Sequence, residues 1–278
     1  MPTLYAVATP IGNLEDISLR ALRTLREVRL IAAEDTRRTG RLLAAYGIKT
    51  PMTSYHEQNK RSKLEYILGQ LGEGDVALVS DAGMPGISDP GYELIVAAGQ
   101  RGIPVVPIPG PSAIITAVAV SGLPADRFLY IGFLPRKSGE RRRYLRSVAA
   151  EPGTIVALET PHRLRGALDD MLLVLGDRRV AICRQLTKLH EEVFRGTVGQ
   201  ALEHFTEPRG EFTLVIEGKK EDRPQLTPDI ERQLESLHLS GATAKEAIAR
   251  VALETGLSRR ELYRTWLRLS LLKGLERG

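Results

Sequence analysis

The chain reads as two α/β domains followed by a small helical extension, on three observations. Through residues 1–120 short β-rich runs alternate with amphipathic stretches, the pattern of a largely parallel sheet with helices on its faces. A less regular alternation fills 121–223, after the Gly and Pro punctuation of Ser121-Gly122-Leu123-Pro124. Residues 224–278 then carry helix-start signals without strand patterns. A length of 278 residues, against roughly 150 for a typical domain, agrees with more than one domain.

Each element has a local reason. Residues 4–8, 28–33, 76–80 and 105–108 are apolar runs of strand length, while 19–26, 38–46, 64–71 and 92–100 repeat apolar residues at helical intervals. An apolar helix follows Ser112 and ends near Gly122. In the second domain strands are expected at 128–132, 154–158, 180–184 and 212–217, and helices at 139–149, 162–175 and 198–205. The polar run 219–224 reads as a linker. In the extension, Thr227-Pro228 is a helix cap followed by proline at the first helical position, and Thr243-Ala244-Lys245-Glu246 and Ser258-Arg259-Arg260-Glu261 both fit the capping box. Three helices result, the last two joined through Gly256 as in helix-turn-helix units. Arg259, Arg260, Arg264 and Arg268 are read either as the solvated face of a packing bundle or as nucleic-acid contacts.

Composition removes several function classes. With 42% hydrophobic and 26% charged residues the chain has the balance of a folded, soluble protein. Its one cysteine, Cys183, leaves no disulfide framework or Cys-rich metal site and suits a reducing compartment, so a cytoplasmic protein is expected. The uncharged stretch 102–125 is interrupted by Pro104, Pro107, Pro109 and Pro111, and the first residues lack a signal-peptide pattern, so neither export nor a membrane span is expected. The net charge of +5 divides as 0 over 1–120, +3 over 121–223 and +2 over 224–278, a basic second half that suits a polyanion.

In parallel sheets the ligand site lies beyond the carboxyl ends of the strands. The loops expected there are 9–13, 34–38, 80–91 and 109–113, all but the charged 34–38 rich in glycine and proline. The longest, Ser80 to Gly91, can present backbone amides and carbonyls to a ligand, because glycines permit close approach and prolines stiffen it. Gly72-Glu73-Gly74-Asp75-Val76-Ala77 matches a loose dinucleotide string, yet it precedes a strand instead of leaving one. No phosphate-binding P-loop and no metal-spaced His pair occurs, so ATP hydrolysis and zinc chemistry are not expected. Gly110-Pro111-Ser112-Ala113-Ile114 lacks the closing glycine of a nucleophile elbow, which leaves Ser112 as a helix cap facing a ligand. Asp35, Arg37 and Arg38 fit either a substrate-binding cluster or a helix cap with solvated arginines. His56 is a candidate base or an ordinary exposed histidine. Arg136, Lys137, Arg141, Arg142, Arg143 and Arg146 stand against Glu140 alone, either a polyanion footprint or a solvated helix face.

Taken in order, these segments resemble the tetrapyrrole methylase superfamily, and within it the branch that modifies ribosomal RNA. The resemblance rests on Ala8-Thr9-Pro10-Ile11-Gly12-Asn13-Leu14, Ala33-Glu34-Asp35-Thr36-Arg37, Ser54-Tyr55-His56-Glu57, the whole Ser80 to Gly91 loop and Pro109-Gly110-Pro111-Ser112-Ala113. Later come Gly132-Phe133-Leu134-Pro135-Arg136-Lys137, Glu159-Thr160-Pro161-His162-Arg163, the run from Arg184 to Glu192 and Gly210-Glu211-Phe212-Thr213. The one departure is Gln185, where the resemblance leads one to expect Glu.

The resemblance implies two α/β domains of the tetrapyrrole methylase type with S-adenosylmethionine in the cleft between them, commonly as a homodimer. It implies methylation of the ribose 2'-hydroxyl of a cytidine in the decoding centre of 16S rRNA within the small ribosomal subunit. Carried onto this chain, the cofactor would meet Pro10, Ile11, Asp81, Ala82, Met84, Ile87, Ser88, Ser112, Ala113, Leu186, Phe212 and Thr213. Deprotonating a hydroxyl needs a base or a stabilising cation, for which Asp35, His56 and Lys188 are the candidates, with Arg37 on a phosphate. Arg136, Lys137, Arg141, Arg142 and Arg143 would hold RNA backbone. The competing expectations are carbon methylation of a corrin or porphyrin precursor, and a nucleic-acid-binding regulator acting through the helical extension.

Overall fold

In the computed structural model, which describes residues 1–219 and 226–275 with side chains of the last helix as far as Leu269, the first apolar runs form one parallel sheet. Its strands are β1 (Leu4–Val7), β2 (Leu30–Ala33), β3 (Met52–Ser54), β4 (Val76–Val79) and β5 (Val105–Ile108), in the order β3-β2-β4-β1-β5. Every neighbour is parallel, with Leu4 opposite both Val76 and Val105. β2 and β4 are buried along their whole length because both faces are covered, which is why they read as unbroken apolar runs. Helices α1 (Leu19–Glu27) and α2 (Thr36–Ala45) pack on Val7, Ile31 and Val79, while α3 (Lys60–Leu71) and α4 (Tyr92–Gln100) pack on Leu4, Leu30 and Leu78. β3 escapes the sequence reading, since three residues with Met52 exposed hold no alternation to detect.

The next helix, α5 (Ala113–Ser121), is capped by the Ser112 hydroxyl and ends on left-handed Gly122. It follows the first sheet in sequence, yet it packs on the second. Ala117 and Val118 share a buried cluster with Val156, Ala181, Cys183 and Val215. These belong to strands of a second sheet: β6 (Phe128–Phe133), β7 (Thr154–Glu159), β8 (Arg179–Arg184), β9 (Glu192–Thr197) and β10 (Phe212–Ile216), ordered β6-β7-β10-β8-β9. β6 runs parallel to β7, and all other pairs are antiparallel. The period-two alternation of strands sends Ile155, Ala157, Ile182 and Leu214 to the far face, under α6 (Ser138–Val148), α7 (Pro161–Leu175) and α8 (Val198–His204). β9, an edge strand of partly exposed residues, carries no apolar run for a sequence reading to find.

Residues 1–219 form one compact unit and 220–278 another. The second contains α9 (Pro228–Leu239), α10 (Ala244–Thr255) and α11 (Arg259–Leu275) around Leu234, Ile248, Val251, Leu257, Leu262 and Trp266. Thr243 and Glu246 make both bonds of the capping box, and the Ser258 hydroxyl accepts from the Glu261 amide at 3.2 Å. Of the expected linker 219–224, all but Lys219 lies outside the described residues. Among the described residues no helix is long and apolar enough to cross a membrane.

Helix α6 corrects one expectation about the basic cluster. Arg141 is buried, and its Nε donates to Asp170 Oδ2 at 2.6 Å while its terminal nitrogens donate to the carbonyls of Pro135, Arg136 and Gly166. It is therefore a structural cation held inside the fold, not the exposed one expected. Arg142 donates to the other Asp170 oxygen at 2.6 Å and is only half-exposed. The reason is local: Asp170 lies on the buried face of α7, and a carboxylate there must be neutralised. Arg136, Lys137 and Arg143 remain exposed. Asp170→Ala should cost about 3–5 kcal/mol, because it strands a buried guanidinium. Urea unfolding of variant and wild type measures this, and a loss below about 1 kcal/mol would be the signature of a surface pair instead.

Candidate active site

The carboxyl ends of β1, β2, β4 and β5 all open into one cavity of about 380 Å³, closed on its other side by the second sheet. That is within the size range of small-molecule sites, roughly 300–1,000 Å³. Ile11 comes from the loop after β1, Glu34 and Arg38 from that after β2, Asp81 to Asp89 from that after β4, and Ser112 with Ala113 from the start of α5. The second half contributes Tyr130 and Phe133 of β6, Glu159 to Pro161 at the start of α7, Cys183, Leu186, and Glu211 to Thr213.

Backbone bonds hold the loops in place. Thr9 and Gly83 exchange both amide bonds at 3.0 Å, an isolated bridge between the β1 and β4 loops, and the Thr9 hydroxyl donates to the Ser80 carbonyl. Gly83 sits at φ +83°, a conformation side chains resist, so this bridge requires glycine. Across the cavity the Ser88 hydroxyl, on a residue itself at φ +62°, meets the Tyr130 hydroxyl at 2.6 Å and joins the two halves.

One wall is acidic and the rest largely apolar. Glu34 accepts from the Asp81 amide at 3.1 Å, and Asp81 accepts from the Asp35 amide at 3.1 Å while pairing with Arg38 at 3.2 Å. Burial, reinforced by the neighbouring charges of Glu34 and Asp81, pushes the Asp89 carboxyl up to about 7. Burial likewise raises Glu34, opposed by its bond from the Asp81 amide. Three carboxylates facing one arginine make a wall that favours a cation, and the N-termini of α5 and α7 add partial positive charge for a carboxylate elsewhere in the same cavity. A second, polar cavity adjoins the first and shares Glu34, Ser88 and Asp89 with it, and His56, Glu57 and Gln58 line its other side.

The cofactor residues expected from the sequence converge here, all except Pro10, which lines a smaller neighbouring cavity of about 170 Å³. The expected catalytic residues do not enter the main cavity. Asp35 caps α2 and is held down to about 2 by the Arg37 guanidinium and amide, so it is a poor base near neutrality. Lys188 donates to Glu211 at 2.7 Å, and only that partner reaches the cavity. His56 lines the adjoining cavity, its Nδ1 buried with no hydrogen-bond partner. Sequence reasoning passed over Glu34, Asp89, Tyr130 and Glu159. Glu34 and Asp89 lie inside loops already singled out, and their acid-on-acid proximity was the missing signal. Tyr130 had none, because its role comes from a contact 42 residues away.

Residues 3–202 match the family described as Tetrapyrrole (Corrin/Porphyrin) Methylases. A Halalkalibacterium halodurans protein named ribosomal RNA small subunit methyltransferase I is 49% identical over 271 residues, 94% of this chain and 93% of its own length. A Thermotoga maritima protein of the same name is 54% identical over 223 residues, 79% of this chain and 100% of its own. Among solved structures, the uroporphyrin-III C-methyltransferase of Thermus thermophilus complexed with S-adenosyl homocysteine aligns with a TM-score of 0.56 at 20% identity, over 78% of this chain and 97% of that one. That likeness speaks to the fold alone. By the extent of the family match and the identity of these relatives, the chain belongs to the tetrapyrrole (corrin/porphyrin) methylase family.

Proposed function

We propose that this chain is an S-adenosylmethionine-dependent methyltransferase whose substrate is 16S rRNA in the small ribosomal subunit, with the ribose 2'-hydroxyl of a cytidine as acceptor. The substrate class follows the name of relatives 49–54% identical to it. The observation that carries the reading is the single cavity in which the expected cofactor residues meet an acidic wall. Its apolar lining of Ile11, Met84, Leu186 and Phe212 suits a nucleoside, its carboxylates suit a sulfonium, and the helix N-termini suit a carboxylate. When bound, the cofactor supplies an electrophilic methyl group on a positively charged sulfur. Ile11, Asp81 to Ser88, Ser112, Ala113, Leu186, Phe212 and Thr213 would hold it.

The chain's own work is to orient the acceptor and take its proton. The acceptor belongs in the adjoining polar cavity, because the two spaces meet at Glu34, Ser88 and Asp89 and transfer must occur at such a boundary. Asp89, poised near neutrality, accepts the hydroxyl proton on its carboxylate, with the charge of Glu34 raising its affinity for that proton. His56 faces the same space and orients the ribose. Outside the cavities Arg136, Lys137, Arg143 and the outward guanidinium of Arg37 contact phosphates. A homodimer working in the cytoplasm is part of the same reading.

Small subunits lacking the modification, incubated with methyl-labelled S-adenosylmethionine and digested to nucleosides, should yield label in 2'-O-methylcytidine. Label absent from RNA despite measurable cofactor binding would move the acceptor to a small molecule such as a porphyrinogen. Asp89→Asn should lower turnover roughly 10²- to 10⁴-fold, with a much smaller change in affinity for S-adenosylhomocysteine; equal turnover would exclude it as the base. Asp89 also predicts a pH effect on stability. Its folded pKa of about 7 lies above the ordinary 3.8, so the folded chain keeps the proton longer and loses stability as pH rises between those values. Thermal melts from about pH 5 to 7 should therefore decline more steeply for wild type than for Asp89→Asn.

A further inference from the structure

The helical unit presents one face that its own packing leaves unused. Along α11, Leu262, Thr265 and Trp266 are buried in the three-helix core, with Leu269 packed against it. Arg259, Arg260, Tyr263 and Arg264 follow the i, i+1, i+4, i+5 pattern that lies on the other side, and all four are exposed. Among the described residues, other arginines of the unit have carboxylate partners: Arg232 with Asp229, Arg250 with Glu254 at 3.1 Å, and Arg268 with Glu231. Arg259, Arg260 and Arg264 have none among the described residues.

Their position is electrostatically unfavourable for the bundle alone. Arg259 and Arg260 are the first two residues of α11, where the free amides already carry partial positive charge and Glu261 is the one acidic side chain of the turn, set against two guanidiniums. Cations at that end oppose the helix dipole, and an external anion relieves the conflict. The turn before them is fixed by left-handed Gly256, buried Leu257 and the Ser258 cap, which set where α11 begins. Guanidinium groups bind phosphate bidentately, and a half-exposed Tyr263 between them offers a hydroxyl and a ring.

We propose that this face of α11, Arg259, Arg260, Tyr263 and Arg264, docks the chain on the phosphate backbone of structured ribosomal RNA. The choice of RNA as occupant rests on the functional reading above, and the chemistry of the face is that of backbone contact without base recognition.

The test uses the full-length chain and 16S rRNA, with affinity measured by filter binding between about 50 and 200 mM salt. The triple variant Arg259→Ala, Arg260→Ala, Arg264→Ala should bind more weakly at low salt. Its log-log salt slope should be shallower by about 2–3, so the loss of affinity over that fourfold range shrinks by roughly 16- to 64-fold. The triple lysine variant should restore the slope, and Arg250→Ala, whose guanidinium is held by Glu254, should match wild type. Unchanged circular dichroism and unchanged S-adenosylhomocysteine affinity would establish that the triple alanine variant is folded. A triple alanine variant with wild-type affinity and slope overturns the proposal, as does a dependence on the three arginines found with duplex DNA and absent with rRNA. Methyl transfer, assayed separately, tests the functional reading: wild type that binds RNA through these arginines but transfers no methyl to it keeps the surface and loses the reading. An active wild type indifferent to the arginines does the reverse.

Discussion

The packing of α5 across the second sheet is the interaction on which the site depends. Ile11, Ala117 and Val118 from the first half and Val156, Ala181, Cys183, Leu186 and Val215 from the second form one buried cluster, so the two sheets share a core. Because α5 begins at the carboxyl end of β5, anchoring it on β8 and β10 brings the neighbouring loop ends over the second sheet. The cavity is the space left beside that seam. A further close approach secures it: a Cβ on Gly12 would lie 2.5 Å from Lys188 Cγ and 2.9 Å from the Leu186 carbonyl, so the first loop and the 186–188 turn touch at backbone distance. Gln185 and Thr187 both adopt positive φ in that turn, the kind of strain that persists where surroundings over-determine the backbone.

Within the seam the chemistry is set by burial more than by any single charged pair. Glu34, Asp81 and Asp89 are brought together by loops leaving two different strands, and burial, with the charge of Asp81 nearby, raises the cost of ionising Glu34 and Asp89. Asp35, adjacent in sequence to Glu34, has the opposite character because the exposed Arg37 stabilises its charge. Two neighbouring carboxylates thus serve different ends, one lining the cavity and one capping a helix.

The basic segments divide in the same way. In α6 the densest run of arginines is partly structural, because Asp170 draws Arg141 and Arg142 inward. In α11 a sparser set stays outward, since its buried positions are filled by Leu262, Thr265 and Trp266 and, among the described residues, no carboxylate pairs with Arg259, Arg260 or Arg264. Density of charge in the sequence was a poorer guide to an available cation than the identity of the residues on the opposite helix face.

The sequence alone determined most of the architecture, because strands buried on both faces, helix caps and Gly/Pro turns are written in neighbouring residues. The runs of β2 and β4, the caps at Ser112 and Thr243 and the turn at Gly256 are local features of that kind. The loops around Asp81 and Ser112 were legible for the same reason. Short edge strands such as β3 and β9 were not, since three residues, or a strand of partly exposed ones, hold too little periodicity. Tertiary structure decided which sheet α5 serves, that Arg141 is buried, that Asp35 and Lys188 are engaged by Arg37 and Glu211, and that Asp89 meets Glu34. Each of those outcomes depends on which distant groups share a volume from which water is excluded, and local sequence pattern carries no record of that.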